Sequence, residues 1–144
     1  MKEDLITFET AKLAKEKGFD GKSMYYFMDD KSNKLHTAFN RNHTWDFNIK
    51  NEYRKPFRSI TASTQSLLQK WLRENYGLCI ILIPTITADW TFKIVKTIPL
   101  KNNSLQIEQP PYNNVNGSDY NTYEKALETG LVEGLKTIKV KKLV

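Results

Sequence analysis

Apolar residues recur at helical spacing over residues 63–77. Leu67, Leu68, Trp71 and Leu72 fall on one stripe, while Gln65, Gln69, Lys70 and Arg73 fall largely on other faces. Ser63 is placed to cap this helix, its hydroxyl accepting a bond from a first-turn amide. A full capping box is missing, because position 66 is Ser rather than Glu or Gln. Gly77 supplies the left-handed residue at which a helix commonly stops. The pattern then changes. Residues 78–83 are apolar at every position and bounded by Gly77 and Pro84, which reads as a buried strand. Residues 85–89 read as a turn. Residues 90–94 alternate apolar and polar, as a half-buried strand does. The expected nucleus is a helix feeding a β-hairpin, with Leu68, Trp71 and Leu72 laid on the sheet face that carries Trp90, Phe92 and Ile94.

Weaker patterns flank this nucleus. Thr7 is placed to cap a short helix over 8–17, with Leu5, Phe8 and Ala11 marking its packed face. Gly18 ends that helix, and Phe19 can fold back as the hydrophobic contact of the C-cap. Residues 24–28 form a β-prone run, 29–33 a turn, and 35–39 the return strand. Residues 99–121 are rich in Asn, Pro and Gly and read as a long loop with one short strand near Leu105–Glu108. A loop of this length is usually functional or disordered. Tyr112 and Tyr120 flank its polar tip, where they could cover a ligand; plain disorder has at least equal weight.

Asn121, with Glu124 three residues on, forms a capping box for a last helix. Its stripe is Tyr123, Leu127, Leu131, Leu135 and Ile138, edged by Ala126, Gly130 and Gly134. A glycine inside a helix costs about 1 kcal/mol against Ala. Close approach of another backbone is a physical reason to keep two of them. That neighbour is either the sheet or the same helix of a second protomer, which would make a homo-oligomer through the C-terminal helix. The sheet is favoured, since an amphipathic helix must cover it in any case. Together the patterns predict an α+β fold, a small antiparallel sheet with helices packed mainly on one face, in a single domain over residues 1–144.

Composition agrees with such a domain. A chain of this length buries roughly 68–70% of its unfolded surface, so it needs no metal or disulfide to fold. The lone cysteine, Cys79, lies in the apolar strand, where it should be inert, and a reducing compartment is expected. The first residues lack the apolar core of a secretory leader, and no apolar run is long enough to cross a bilayer. A soluble, intracellular protein without membrane contact is expected.

Charge is uneven. Residues 1–30 carry a net −2, residues 31–60 a net +5 and residues 61–144 a net +3, which sum to the +6 of the whole chain. The rest of the excess lies in the tail from Lys136 onward, where Lys136, Lys139, Lys141 and Lys142 also suit a helix C-terminus. Such blocks attract polyanions or anionic ligands.

The basic block is also aromatic. Arg41, Trp45, Phe47, Lys50, Tyr53, Arg54, Lys55, Phe57 and Arg58 alternate within residues 40–58. Cations attract phosphate, and aromatic faces stack on bases. Trp45, Lys50, Tyr53, Arg54, Lys55 and Arg58 are therefore the candidate ligand-binding residues. The plainer reading, a core of Trp45, Phe47 and Phe57 with a rim of solvated cations, carries somewhat more weight on the sequence alone.

Other motifs carry less. Gly21-Lys22-Ser23 matches the end of a P-loop, but position 16 is Glu where the first glycine belongs, and a helix rather than a strand precedes it. It reads as a loop. Asp29 and Asp30 suit a turn better than a metal. His36, His43 and Asp46 lack the spacing of a metal site and read as structural or surface residues. No nucleophile–base pair stands out, so a non-enzymatic protein without a cofactor is expected.

Three stretches, Asp4-Leu5-Ile6-Thr7-Phe8-Glu9-Thr10-Ala11-Lys12-Leu13-Ala14, Ser63-Thr64-Gln65-Ser66-Leu67-Leu68-Gln69-Lys70-Trp71-Leu72-Arg73-Glu74 and Tyr123-Glu124-Lys125-Ala126-Leu127-Glu128-Thr129-Gly130-Leu131, occur in this order. The combination resembles a family of small proteins encoded by phages and prophages of gut anaerobes. The likeness spans nearly the whole chain, departs mainly in the basic middle and in 99–121, and brings no catalytic residues to carry over. It implies a viral accessory role in the cytoplasm of an infected bacterium. The expected function is binding of an anionic nucleotide, such as a signalling nucleotide sequestered from host defence. Alternatives are a nucleic-acid-binding protein, and an interaction module that inhibits a host enzyme or belongs to the virion.

Overall fold

The computed structural model describes residues 4–29, 32–38, 43–48, 59–99, 105–108 and 119–139. Its elements are α1 (Phe8–Glu16), β1 (Tyr25–Met28), β2 (Leu35–Thr37), β3 (Ser59–Thr61), α2 (Gln65–Tyr76), β4 (Leu78–Pro84), β5 (Trp90–Pro99), β6 (Leu105–Glu108) and α3 (Tyr123–Lys136). This is the α+β class expected. The strands form two antiparallel sheets, ordered β2-β1-β3 and β4-β5-β6. The chain divides into two compact units, residues 1–68 with 139–144, and residues 69–138, the division falling within α2.

In the first unit, the Thr7 hydroxyl accepts the Thr10 amide at 3.3 Å and caps α1, as expected. At the other end Gly18 takes a φ of +89°. The Gly18 amide bonds to the Lys15 carbonyl at 3.1 Å, and that of Phe19 to the Ala14 carbonyl at 3.0 Å. These two bonds satisfy carbonyls that the helix leaves open, and the buried Phe19 ring completes the C-cap. α1 lies against β3, burying Thr10, Ala11 and Ala14. Phe8 meets Phe27 of β1 edge-on, with ring centroids 5.6 Å apart.

β1 is central. It pairs with β2 through Tyr26↔His36 and with β3 through Tyr26↔Thr61 and Phe27↔Ile60. Period-two alternation puts Phe27 and the fully buried Ile60 on the face toward Phe8, and Tyr26, His36 and Thr61 on the opposite face. Sequence reading did not find β3, because three residues are too few to display an alternation.

The start of α2 corrects the expected cap. Ile6 donates its amide to the Ser63 carbonyl at 2.9 Å, and Gln65 donates to the Asp4 carbonyl at 2.9 Å. Residues 4–6 thus run antiparallel beside 63–65 and hold Ser63 in the extended chain. Capping passes to Thr64, whose hydroxyl accepts the Leu67 amide at 3.2 Å.

In the second unit, Gly77 takes a φ of +66°, and a Cβ there would stand 2.5 Å from the Thr97 carbonyl oxygen. β4 and β5 then form the expected hairpin, in register Ile80↔Ile94 and Leu82↔Phe92. β5 runs on past Ile94 to Pro99, and its far end pairs with β6, the short strand foreseen inside 99–121. Trp90 and Tyr120 exchange backbone bonds of 2.7 and 2.6 Å.

Thr122 rather than Asn121 caps α3, its hydroxyl accepting the Lys125 amide at 3.2 Å. The Trp90 bridge holds Tyr120 extended, which delays the helix by one residue. Leu127, Leu131, Leu135 and Ile138 are buried as expected, together with Ala126, Gly130 and Gly134. Tyr123 is exposed instead and meets Trp90 edge-on at 5.2 Å.

α3 lies along both β4 and β5. The neighbour of its glycines is the sheet: a Cβ on Gly130 would stand 2.7 Å from Ile80 Cγ2 and 3.4 Å from the Phe92 ring. α3 was not foreseen as the helix along both strands, where the sequence placed the stripe of α2. α2 contributes Leu72, which meets α3 at Gly134 beside Ile80. Among the described residues no helix is long and apolar enough to cross a membrane.

Candidate functional site

Of the candidate ligand-binding residues, Trp45 lies within the described chain. Lys50, Tyr53, Arg54, Lys55 and Arg58 lie outside the described residues, as do Arg41 and Phe57. Trp45 is half-buried and is tied to the first unit by a reciprocal pair of backbone bonds with Ser23, each 3.0 Å. Ser23 is also the last residue of the P-loop-like segment. Its hydroxyl is buried, donates to the Ala62 carbonyl at 2.7 Å and accepts the Tyr25 amide at 3.1 Å.

Trp45 belongs to a row of rings. His36 stacks on Tyr26 at 5.3 Å with 18° between planes. Tyr26 contacts Phe47 at 4.6 Å and 31°. Phe47 lies 6.3 Å from Trp45, and Trp45 lies 6.0 Å from His43. The row thus starts on β2, crosses β1 and continues through the 43–48 segment. His36, Tyr26, Phe47 and Trp45 are half-buried and His43 is exposed. Trp45 and Phe47 are therefore neither sealed in the interior nor free in a loop: each has one side packed and surface left in water.

Polar side chains hold this row in place. Phe47 donates its amide to Thr61 Oγ1 at 2.9 Å and accepts the Ser59 hydroxyl on its carbonyl at 2.9 Å. Asn48 accepts the Thr61 amide at 3.0 Å, donates to the Phe19 carbonyl at 3.0 Å, and bonds through its own amide to Asp46 Oδ1 at 2.9 Å. Among the described residues β3 is an edge strand, and polar groups beside it answer the outward backbone there and just beyond its end. Asn48 takes the Thr61 amide and Ile6 takes the Ser63 carbonyl.

Sequence reading missed Tyr26, His36 and Asn48 as parts of the site. For Tyr26 the available signal was period two: in the run 24–28 it points away from Phe27. His36 follows from Tyr26 only once the register of the turn is known. Asn48 carried no signal, because its partners Phe19 and Thr61 are distant in sequence.

Rings in a row offer π surface and, at Tyr26, His36, His43 and Trp45, polar atoms at ring edges. Among the described residues no group of three or more His, Cys, Asp or Glu side chains is placed to hold a metal. Cys79 is a half-buried free thiol. No protein-family model, no curated protein and no solved structure matches the chain.

Proposed function

We propose that this protein is a non-enzymatic binder of an anionic, base-containing ligand, and that the row His36–Tyr26–Phe47–Trp45–His43 is its stacking surface. The observation that carries this reading is the half-buried state of Tyr26, Phe47 and Trp45 in one connected row. The sequence on both sides of that segment is cationic, with Arg41 before it and Lys50, Arg54, Lys55 and Arg58 after it. Rings supply stacking and cations supply attraction to phosphate. A nucleotide held in this way fits a viral accessory protein that removes a signalling nucleotide from host defence, in the cytoplasm of the infected bacterium.

Single-stranded nucleic acid is the second reading, favoured by the length of the row. Its rings extend well beyond the footprint of one base, and successive bases stack on successive aromatics in sequence-tolerant binders.

Purified protein is heated, and the released small molecules are measured at the nucleobase absorbance band. The protein is then titrated with a mononucleotide and with a short single-stranded oligonucleotide at low and high salt. A stoichiometric released nucleotide supports the first reading. Oligonucleotide binding that weakens steeply with salt supports the second. In either case Trp45→Ala is expected to weaken binding about tenfold, since stacking on one base is worth about 1–3 kcal/mol. Absence of any bound or binding base-containing ligand, or binding indifferent to Trp45→Ala, overturns the proposal.

A further inference from the structure

The edge of the β4-β5-β6 sheet is dressed differently from that of β3. Among the described residues β4 is an edge strand, and from Leu78 to Pro84 it carries no charged residue. Charges, bulges or covering loops usually protect such an edge from pairing with another chain.

The hydrogen-bond parity of the hairpin fixes which groups face outward. Thr97 donates to the Gly77 carbonyl at 2.8 Å, and Thr85 donates to the Asp89 carbonyl at 2.8 Å. Bonded pairs therefore fall on the odd positions of β4, and Leu78, Ile80, Leu82 and Pro84 turn their backbone groups away from β5. One of these is answered: Gln69 of α2 donates its side-chain amide to the Ile80 carbonyl at 2.9 Å. Pro84 has no amide to offer. Among the described residues, the outward groups left open over residues 80–84 are the Ile80 amide, both groups of Leu82 and the Pro84 carbonyl.

That set is self-complementary. We infer that β4 pairs antiparallel with β4 of a second copy across a twofold axis at Leu82, joining the two sheets into one. Leu82 exchanges both bonds with Leu82 of the other copy. The Ile80 amide of each copy donates to the Pro84 carbonyl of the other. The reciprocal bond would need an amide on Pro84, and the carbonyl it would have served is the one that Gln69 already satisfies. Pairing centred on Ile80 instead would load a second bond onto the carbonyl that Gln69 already uses. A partner with an ordinary residue opposite Ile80 would bring an amide that must share this carbonyl with Gln69.

The side chains agree with this register. Ile81 and Ile83 lie on the sheet face away from α3 and are 44% and 40% exposed. In the pair, Ile81 of one copy stands opposite Ile83 of the other, and the reverse. Both contacts are apolar cross-strand pairs. The absence of charge along β4 means that like meets like without repulsion.

The test is the mass of the full-length protein in solution as a function of concentration, together with hydrogen exchange. A monomer–dimer equilibrium is expected, with Ile80 and Leu82 amides slowing as concentration rises. The double substitution I81K/I83K sets like charges directly opposite one another across the axis and should weaken the dimer at least about tenfold. Both positions are exposed, so folding is preserved, which circular dichroism checks. Leu82→Pro removes an outward amide without touching the β5 ladder and should have the same effect. A protein that stays monomeric up to millimolar concentration overturns the inference. So does a dimer indifferent to both variants, or one in which the two amides exchange at a concentration-independent rate.

Discussion

Gly130 of α3 stands directly against Ile80 of β4: a Cβ added to the glycine would fall 2.7 Å from the isoleucine Cγ2, well inside contact distance. Gly134, one turn on, has more room, with its nearest neighbours Leu72 Cδ1 at 3.4 Å and Ile80 Cδ1 at 3.7 Å. Two glycines on one helix face thus have different reasons to be there. Overpacking a core costs about 1–3 kcal/mol, while replacing a helical glycine by alanine returns about 1 kcal/mol. Gly130→Ala should destabilise by about 1 kcal/mol net, and Gly134→Ala should stabilise by about 0.5–1 kcal/mol. Urea denaturation of both variants checks the opposite signs.

Ala88 holds a φ of +66° in the hairpin turn, where Thr85 and Asp89 close the loop. An L-residue with a Cβ is disfavoured there by about 1–2 kcal/mol. Ala88→Gly should therefore raise stability by about 1 kcal/mol after its own backbone-entropy cost. Thermal unfolding is the measurement, and a lower midpoint would contradict the turn geometry.

Helix α3 offers a choice between adjacent cap residues. Thr122→Ala should cost about 1 kcal/mol, the usual loss of an N-cap hydroxyl. Asn121→Ala, at the exposed position before it, should stay within about 0.5 kcal/mol of the parent. Equal losses at the two positions would argue against Thr122 as the cap.

Asn48 joins three parts of the first unit through Phe19, Asp46 and Thr61. Thr61 is fully buried, so Asn48→Ala leaves its amide without the acceptor it now uses. A buried unsatisfied donor costs about 1–3 kcal/mol, and the loss of the Phe19 bond adds to it. A drop of about 2 kcal/mol or more is expected. Faster amide exchange at Thr61 and Phe47 should accompany it.

Much of the fold was legible because it rests on local chemistry. Thr7, Gly18 and Phe19 announce the two ends of α1; Gly77, the apolar run and the alternating strand announce the hairpin. Errors arose where a distant segment decided the outcome. Ser63 is as good a cap as Thr64 until Ile6 claims its carbonyl. Asn121 yields to Thr122 because Trp90 holds Tyr120. That α3 lies along β4 and β5 is a tertiary fact, permitted by the absence of a side chain at Gly130. The site was legible only in part. Trp45 and Phe47 stood out as aromatics in a basic block, but the ring that joins them to β2 is Tyr26, and its membership depends on strand parity and register. β3 and Asn48 gave no local sign at all.

Trp90 and Pro99 are the two ends of β5, and the chain that departs after Pro99 is fastened again beside Trp90 by Tyr120. Glu108 of β6 pairs with Lys96 and Tyr120 bonds to Trp90, so both meet β5, and the helix that follows begins from a fixed point. β5 thus carries β4 along one edge and, along the other, both β6 and the bridge at Tyr120 from which α3 departs. A kink in β5 would therefore loosen three neighbours at once, which makes it the strand of this unit least able to absorb a disruptive substitution.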